Sequence, residues 1–310
     1  MSVKNFLLTL FNKKYFSEIS AAILEKTSYA ELEDKIGKRY EKSFGRKLNW
    51  DNPQTFTEKI NVSKIYMPAP LKTRLADKYL VRKWIKEKIG EEYLIPLFGV
   101  YNSFDEINFE ILPNKFVIKC NHDWNSVTLC NDKRKLNLEE LKQKYDKFMQ
   151  RNFGLVNFEM QYYAIKPKIL VEKYMGNSIE DYKFMCLEGR PRYCWMDFDR
   201  FTNHTRNFYD LDWNLQTFSS ANCKNYDKKI SVPEKFEEMK KIVSKLCRGF
   251  DQVRVDLYCV EDKIYFGEMT FTTDNDFGKF SPDEWDYKIG ALWPFDNSVR
   301  KKILKKYSRP

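Results

Sequence analysis

The chain has 310 residues, 43% of them hydrophobic and 16% aromatic, enough for roughly two or three packed units and too apolar for general disorder. Its formal charge of +10 points to an anionic ligand such as a nucleotide, a sugar nucleotide or an acidic polymer, although a lysine-rich surface also serves solubility alone. Two histidines and seven scattered cysteines without a CxxC pair argue against Ser-His-Asp relays, His-rich metal sites, zinc ribbons and disulfide frameworks, and no nucleic-acid motif accompanies the charge.

Most of the cysteines sit in apolar runs, as free thiols of a reducing compartment do. The run Phe6-Leu7-Leu8-Thr9-Leu10-Phe11 is too short to span a bilayer and lacks a cleavage-site pattern, so a cytoplasmic location is expected. The first forty residues read as helix, with Tyr29, Leu32 and Ile36 on one face. After a turn-rich stretch from Asn49 to Pro53 comes a second helical segment. The pairs Leu75/Tyr79, Leu80/Trp84 and Ile85/Ile89 then predict one helix that stops at Gly90, followed by an extended run from Tyr93 to Leu97. Strands are expected at Phe116–Cys120 and Ile169–Glu172, with a helix from Leu138 to Phe148 between them, opened by Asn137 and Glu140. A hairpin turns at Glu188-Gly189, a helix begins at Ser231 with Glu234 completing a capping box, and a second hairpin joins Val253–Val260 to Ile264–Thr270. Helices first and mixed elements after give an α+β fold.

The last hairpin carries the densest polar cluster in an apolar setting. Alternation puts Arg254, Asp256 and Tyr258 on one face of the first strand, and Glu268 and Thr270 on one face of the second. A two-residue loop sets Asp256 opposite Gly267 and separates the acids; a three-residue loop, Glu261-Asp262-Lys263, sets Asp256 opposite Glu268 and Arg254 opposite Thr270. The second is preferred because two neighbouring carboxylates suit magnesium and phosphate oxygens; the alternative is a surface hairpin with its charges in water. Lys119 and Glu172 each end an apolar strand, and Asp181 and Lys183 share a face of another.

Taken in order, these segments resemble the ATP-grasp superfamily. Ala76-Asp77-Lys78-Tyr79 resembles its opening Asp-Lys helix, Phe116-Val117-Ile118-Lys119 its phosphate-lysine strand, and Leu170-Val171-Glu172-Lys173-Tyr174 its adenine hinge. Arg254-Val255-Asp256 and Glu268-Met269-Thr270 resemble its terminal metal block. More closely, residues 40–295 are similar to the TupA-like ATP-grasp family of bacterial surface-polysaccharide loci, through Ile85–Pro96, Asp181-Tyr182-Lys183-Phe184 and Tyr265–Phe271. The resemblance implies two α+β lobes clasping ATP: a helical region over 1–70, N-terminal and central lobes over 71–170, a C-terminal lobe over 171–298 and a basic tail over 299–310. It departs from the family in the glycine-free loop Asp123-Trp124-Asn125-Ser126 and in Thr270, where an asparagine is usual.

The implied activity is an ATP- and Mg2+-dependent carboxylate–amine ligase working through an acyl phosphate, on a uronic acid or amino acid of a capsular or cell-wall polymer. In that reading Lys78, Lys119, Glu172, Lys173, Tyr174, Asp181 and Lys183 contact ATP; Asp256, Glu268 and Thr270 hold the metal; Arg254 and Lys183 are catalytic. The expected partners are ATP, a small-molecule or glycan carboxylate and an amine, with no nucleic acid and no membrane span. The tail lysines could also touch anionic lipid. Two rivals stand beside this. One is a glycosyltransferase using Asp197-Phe198-Asp199, Asp210-Leu211-Asp212 or Asp274-Asn275-Asp276; the other is a non-catalytic nucleotide or glycan binder.

Overall fold

The computed structural model describes residues 13–176, 179–198, 204–220, 223–226, 230–273 and 278–307. Phe6–Phe11, Asp199, Asp274-Asn275-Asp276 and the last three residues of the basic segment lie outside these.

The helical N-terminus is two helices, α1 (Lys13–Leu24) and α2 (Tyr29–Phe44). They part at Ser28, whose side chain accepts from the Glu31 N–H while Glu31 accepts from the Ser28 N–H. Tyr29, Leu32 and Ile36 are buried as expected, with Tyr40 one turn further on. Helix α3 (Phe56–Tyr66) is buried along its whole length: Val62, Ile65 and Tyr66 join the core of α1 and α2, while Phe56 and Ile60 enter a second, aromatic core.

The single helix expected over Leu75–Ile89 is instead α4 (Pro70–Ala76) and α5 (Val81–Lys88). Asp77 divides them: its Oδ1 accepts from the Tyr79 and Leu80 N–H groups at 2.8 and 3.1 Å, a local turn that competes with helix continuation. Gly90 follows α5 at φ 117°. The run expected to be extended from Tyr93 begins as a single 3-10 turn, Glu91–Tyr93, and the strand starts only at Leu97.

Two antiparallel sheets follow. The first has the order β1-β4-β2-β3, from β1 (Leu97–Tyr101), β2 (Phe116–Cys120), β3 (Thr128–Cys130) and β4 (Ile169–Lys173). Helix α6 (Leu138–Met149) covers it through Tyr145, and Asn137 caps that helix by accepting from the Glu140 N–H. A short helix, α7 (Phe153–Val156), precedes β4. The second sheet has the order β10-β9-β5-β6-β7, from β5 (Glu180–Leu187), β6 (Arg190–Phe198), β7 (Thr205–Tyr209), β9 (Gln252–Val260) and β10 (Lys263–Thr270). Phe184, Cys194, Val255 and Phe266 on one of its faces pack with α8 (Phe236–Leu246) and α5. Helix α8 starts at Phe236, not Ser231, and has no capping box: Pro233 sits in a preceding turn, its carbonyl accepting from the Phe236 N–H at 3.0 Å.

A two-stranded ladder of β8 (Ser219–Ser220) and β11 (Phe280–Ser281) and helices α9 (Glu284–Ala291) and α10 (Ser298–Tyr307) complete the α+β fold. The segment read as a basic tail is thus helical. Arg300 and Ile303 face inward, while Lys301, Lys302, Lys305 and Lys306 are exposed. The seven cysteines are free thiols, and among the described residues no helix is long and apolar enough to cross a membrane.

Candidate functional site

The β9–β10 hairpin reaches the preferred pairing by an unexpected route. Its loop is two residues, Glu261 and Asp262, both left-handed at φ 50° and 56°, with Lys263 paired to Val260. An unbroken ladder would set Gly267 opposite Asp256. Instead the register shifts between Phe266 and Glu268, Gly267 is the bulged residue, and Asp256 faces Glu268 while Arg254 faces Thr270. A Cβ at Gly267 would stand 3.0 Å from the Tyr258 ring and 3.1 Å from the Asp256 carbonyl oxygen, so glycine fits this bulge best.

Directly paired residues in neighbouring strands present their side chains to the same face. One row therefore crosses the whole second sheet: Glu268, Asp256, Lys183, Trp195, Phe208. Its first three members line a cleft with about 430 Å³ of water-accessible space, together with Lys78 from the α4–α5 turn and Lys119 from β2. Arg254 lies between the two acids. Its Nε and Nη2 donate to Asp256 at 2.7 and 2.8 Å, and Nη2 also donates to Glu268 Oε1 at 2.5 Å, an oxygen that accepts from the Thr270 hydroxyl at 2.8 Å. Burial pushes the Asp256 carboxyl up to about 7 against the pull of Arg254 and Lys183. Burial acts on Glu268 as well, but Arg254, Lys78 and the Thr270 hydrogen bond outweigh it and hold that carboxyl at about 2.

The opposite wall is built without glycine. In the loop after β2, Ser126 donates from N and Oγ to Asp123 Oδ1 at 3.2 and 2.7 Å, and its hydroxyl accepts from the Cys120 N–H at 2.7 Å. Tyr145 donates to the Ser126 carbonyl at 2.8 Å. Side-chain hydrogen bonds thus fix the loop, Lys78 donates to the Asp123 carbonyl, and Trp124 stands 56% exposed at the cleft.

Of the residues proposed from sequence, Lys78, Lys119, Asp181, Lys183, Arg254, Asp256, Glu268 and Thr270 all line this one cleft. Glu172 sits at its edge, its buried carboxylate paired with Lys119 at 2.6 Å and with Arg82 at 3.6 Å. Lys173 and Tyr174 are not among the lining residues. Sequence reasoning overlooked Glu159 and Thr272, which also line the cleft. The Thr272 hydroxyl donates to Glu159, and accepts from Gln161 Nε2 at 2.7 Å. The signal lay in polar residues at Glu159 and Gln161 inside the apolar stretch around Met160 and Tyr162.

It also overlooked the role of Asp197, weighed only as part of an Asp-x-Asp triplet. The Asp197 side chain, 3% exposed, lies beside Lys183 of the cleft at 3.6 Å, accepting from Arg206 Nε at 2.6 Å and paired with His204 at 2.9 Å. Burial alone would raise it, yet Arg206, Lys183 and His204 hold it well below the usual carboxylate range. Asp210 is occupied locally, accepting from the Asp212 and Asn214 N–H groups at 3.0 and 2.8 Å. Neither is arranged as a metal ligand of a sugar nucleotide. Asp256, Glu268 and Thr270 offer hard oxygen donors on adjacent strands, and among the described residues no three His, Cys, Asp or Glu side chains are grouped so as to hold a metal ion. Two carboxylates and a hydroxyl fit magnesium, which takes few protein ligands and fills its sphere with water and phosphate.

Among solved structures, the D-alanine–D-alanine ligase of Bacillus anthracis is 15% identical over 83% of this chain and 76% of its own, with a TM-score of 0.42. The L-amino acid ligase of Bacillus licheniformis is 12% identical over 78% of this chain and 55% of its own, at 0.41. The D-alanine–D-alanine ligase of Helicobacter pylori is 15% identical over 71% and 61%, at 0.38. The chain thus spans less than two thirds of the length of the last two. No curated protein matches it in sequence. The sequence model of the TupA-like ATPgrasp family matches residues 58–293, well over half of the chain, and the protein belongs to that ATP-grasp family.

Proposed function

We propose that the protein is an ATP-dependent carboxylate–amine ligase that works through an acyl phosphate, its carboxylate a uronic acid or an amino acid destined for a surface polysaccharide. The observation that carries this reading is the convergence of Lys78, Lys119, Lys183 and Arg254 with Asp256 and Glu268 in one cleft. The four cations share the cleft with four acids, Glu159, Asp181, Asp256 and Glu268, so magnesium on Asp256 and Glu268 would free the cations beside them for a polyphosphate. Magnesium, held by Asp256 and Glu268 with Thr270 in reach, would supply neutralisation of charge shared between phosphate oxygens.

Lys78 and Lys119 approach the cleft from the first sheet's side and Lys183 from the second, so a triphosphate is gripped from both. The substrate carboxylate attacks the γ-phosphorus and ADP leaves, which gives the acyl phosphate. Arg254 turns from its two acids toward the transferring phosphoryl group and stabilises its charge. An amine then attacks the acyl carbon, phosphate leaves with the bonding pair, and an amide remains. The wall of Trp124, Tyr162 and Tyr258 limits water that would hydrolyse the intermediate.

The test is calorimetry with ATP and magnesium against a UDP-sugar, on the wild type and Glu268→Ala, followed by phosphate release with carboxylate and amine together. ATP binding weakened at least tenfold in the variant is expected, with phosphate released only when both substrates are present. Binding of the UDP-sugar with no response to ATP would overturn the ligase reading.

A further inference from the structure

One acid of the cleft has no part in the phosphate and metal chemistry. Asp256 and Glu268 bind Arg254, and Asp181 pairs with Lys183. Glu159 lines the same cleft and accepts from the Thr272 hydroxyl, whose oxygen accepts in turn from Gln161 Nε2 at 2.7 Å. All three side chains are buried. A hydroxyl has a single hydrogen, and that of Thr272 is committed to Glu159. The relay from Gln161 through Thr272 therefore fixes how the Glu159 carboxylate stands in the cleft wall.

This corner adjoins the metal-binding residues. Thr272 follows Thr270 by two residues, so their backbones are at most about 7 Å apart. Tyr162, three residues on from Glu159, also lines the cleft and senses both sides of it: burial, Glu159 and Glu268 push its hydroxyl well above the ordinary value, while Arg254 pulls it down. Trp124 approaches from the glycine-free loop, edge-on to Phe153 at 6.5 Å. A phosphate or a second carboxylate placed here would meet the charge of Glu159, so both anionic ligands belong beside Lys78, Lys119, Lys183 and Arg254. A carboxylate flanked by aromatic rings suits an organic cation, whose charge it takes while the rings keep water away. Of the three reactants, only the amine is one.

We propose that Glu159, aligned by Thr272 and Gln161, binds the ammonium group of the amine substrate and takes its proton. The proposal rests on the ligase reading above and adds the site of the second substrate to it. The bound ammonium gives one proton to Glu159, and the nitrogen attacks the acyl carbon. Phosphate leaves with the bonding pair and takes the second proton from nitrogen; Glu159 returns the first to water once the amide departs. An alcohol brings no positive charge to this carboxylate, so the corner selects amide over ester formation.

The experiment uses the full chain with magnesium ATP and either D-glucuronate or N-acetyl-L-alanine as the carboxylate. Ethylamine and D-glucosamine, both cationic at pH 7, are compared with hydroxylamine, which is neutral there. In Glu159→Gln the ratio of turnover with the cationic amines to turnover with hydroxylamine should fall at least tenfold, mainly through the amine KM, as loss of one charge-assisted hydrogen bond predicts. Thr272→Val keeps the carboxylate and loses its alignment, so the same ratio should fall several-fold; it decides the matter if Glu159→Gln does not fold. A merely structural role slows both kinds of nucleophile alike, and an unchanged ratio overturns the proposal. If ATP does not bind, the ligase reading fails by itself. In that case, or if neither carboxylate is turned over, the subsite is judged by saturation-transfer NMR, with ethylamine and glucosamine set against ethanol and glucose. A signal from an ammonium probe that its hydroxyl counterpart lacks, and that disappears in Glu159→Gln, sustains the subsite. No signal from either amine, an equal one from the counterpart, or one that survives in Glu159→Gln overturns it.

Discussion

Arg254 resolves a conflict between its neighbours. Asp256 and Glu268 face each other across two strands, and side-by-side carboxylates repel unless a cation intervenes. In the free protein that cation is the guanidinium, forked to Asp256 and reaching Glu268. Arg254→Met leaves both acids without it, and breaking such a buried pair costs about 3 kcal/mol. The variant should melt several degrees below the wild type in EDTA and regain part of the loss in millimolar magnesium. Equal melting of the two proteins in EDTA would show that the bridge contributes nothing. Asp197 allows a second test, through pH. Its carboxyl is held below the ordinary value of 3.8, burial being outweighed by Arg206, Lys183 and His204. A depressed acid stabilises the fold above its unfolded value and loses that contribution as pH falls through the folded one. Asp197→Asn should therefore be less stable than wild type at pH 7, and the gap should narrow as pH falls below 3.8. Denaturant titrations at pH 7, 4 and 3 measure it, and a gap that widens toward acid contradicts the assignment.

At the scale of elements, the hairpin shows what sequence could and could not convey. Alternation placed Arg254 with Asp256 and Glu268 with Thr270, and their chemistry favoured the register in which the sets meet. The loop length inferred from that register was wrong, because a bulge also adds one residue to one strand, and period-two patterning cannot tell the two apart. Gly267 was the available cue, a residue without a side chain inside an otherwise apolar strand. The helix expected over Leu75–Ile89 failed for a related reason. Apolar residues four apart persist across the break, while the break itself depends on Asp77 binding the Tyr79 and Leu80 N–H groups. Ser231 and Glu234 had capping-box spacing, yet Pro233 took the intervening turn. Cavities assembled from distant segments, such as that of Phe56, Trp195 and Phe280, leave no periodic trace at all. The bulge itself can be tested by Gly267→Ala. The added methyl must displace the Tyr258 ring or the Asp256 carbonyl by a few tenths of an ångström. Overpacking of that kind costs about 1 kcal/mol, and because both neighbours bound the cleft, nucleotide affinity should fall several-fold while the melting temperature moves little. Unchanged affinity by calorimetry would mean that the bulge tolerates a side chain.

Across the whole molecule, the two ends of the chain form one body behind the sheets. Ile303 of α10 packs in the same core as Ile19, Tyr29 and Leu32. Arg300 donates to both oxygens of Glu33 at 2.7 and 2.9 Å and to Asp51 at 2.7 Å. Arg46 pairs with Asp286, and Lys59 donates to the Gly290 and Trp293 carbonyls at 2.8 Å each. At Gly290 the approach is close enough that a Cβ would stand 2.3 Å from the Gln54 carbonyl oxygen. This clamp holds α3, whose Phe56 and Ile60 pack with Met185, Trp195 and Phe208, against the sheet that carries Asp256 and Glu268. The terminal charge run thus divides by helical period, with Arg300 turned inward to lock the ends and its lysine neighbours outward in water. Arg300→Ala removes the lock and leaves Glu33 only 17% exposed without its cation. The Asp51 arm, 85% exposed, adds little, so about 3 kcal/mol is expected from the Glu33 arm alone. Arg300 does not line the nucleotide cleft, so ATP affinity should be retained at temperatures where the variant stays folded. Calorimetric melts beside ATP titrations on the two proteins separate these effects. A variant that melts like the wild type would show that the ends are held by Ile303 and its apolar neighbours without need of the ion pair.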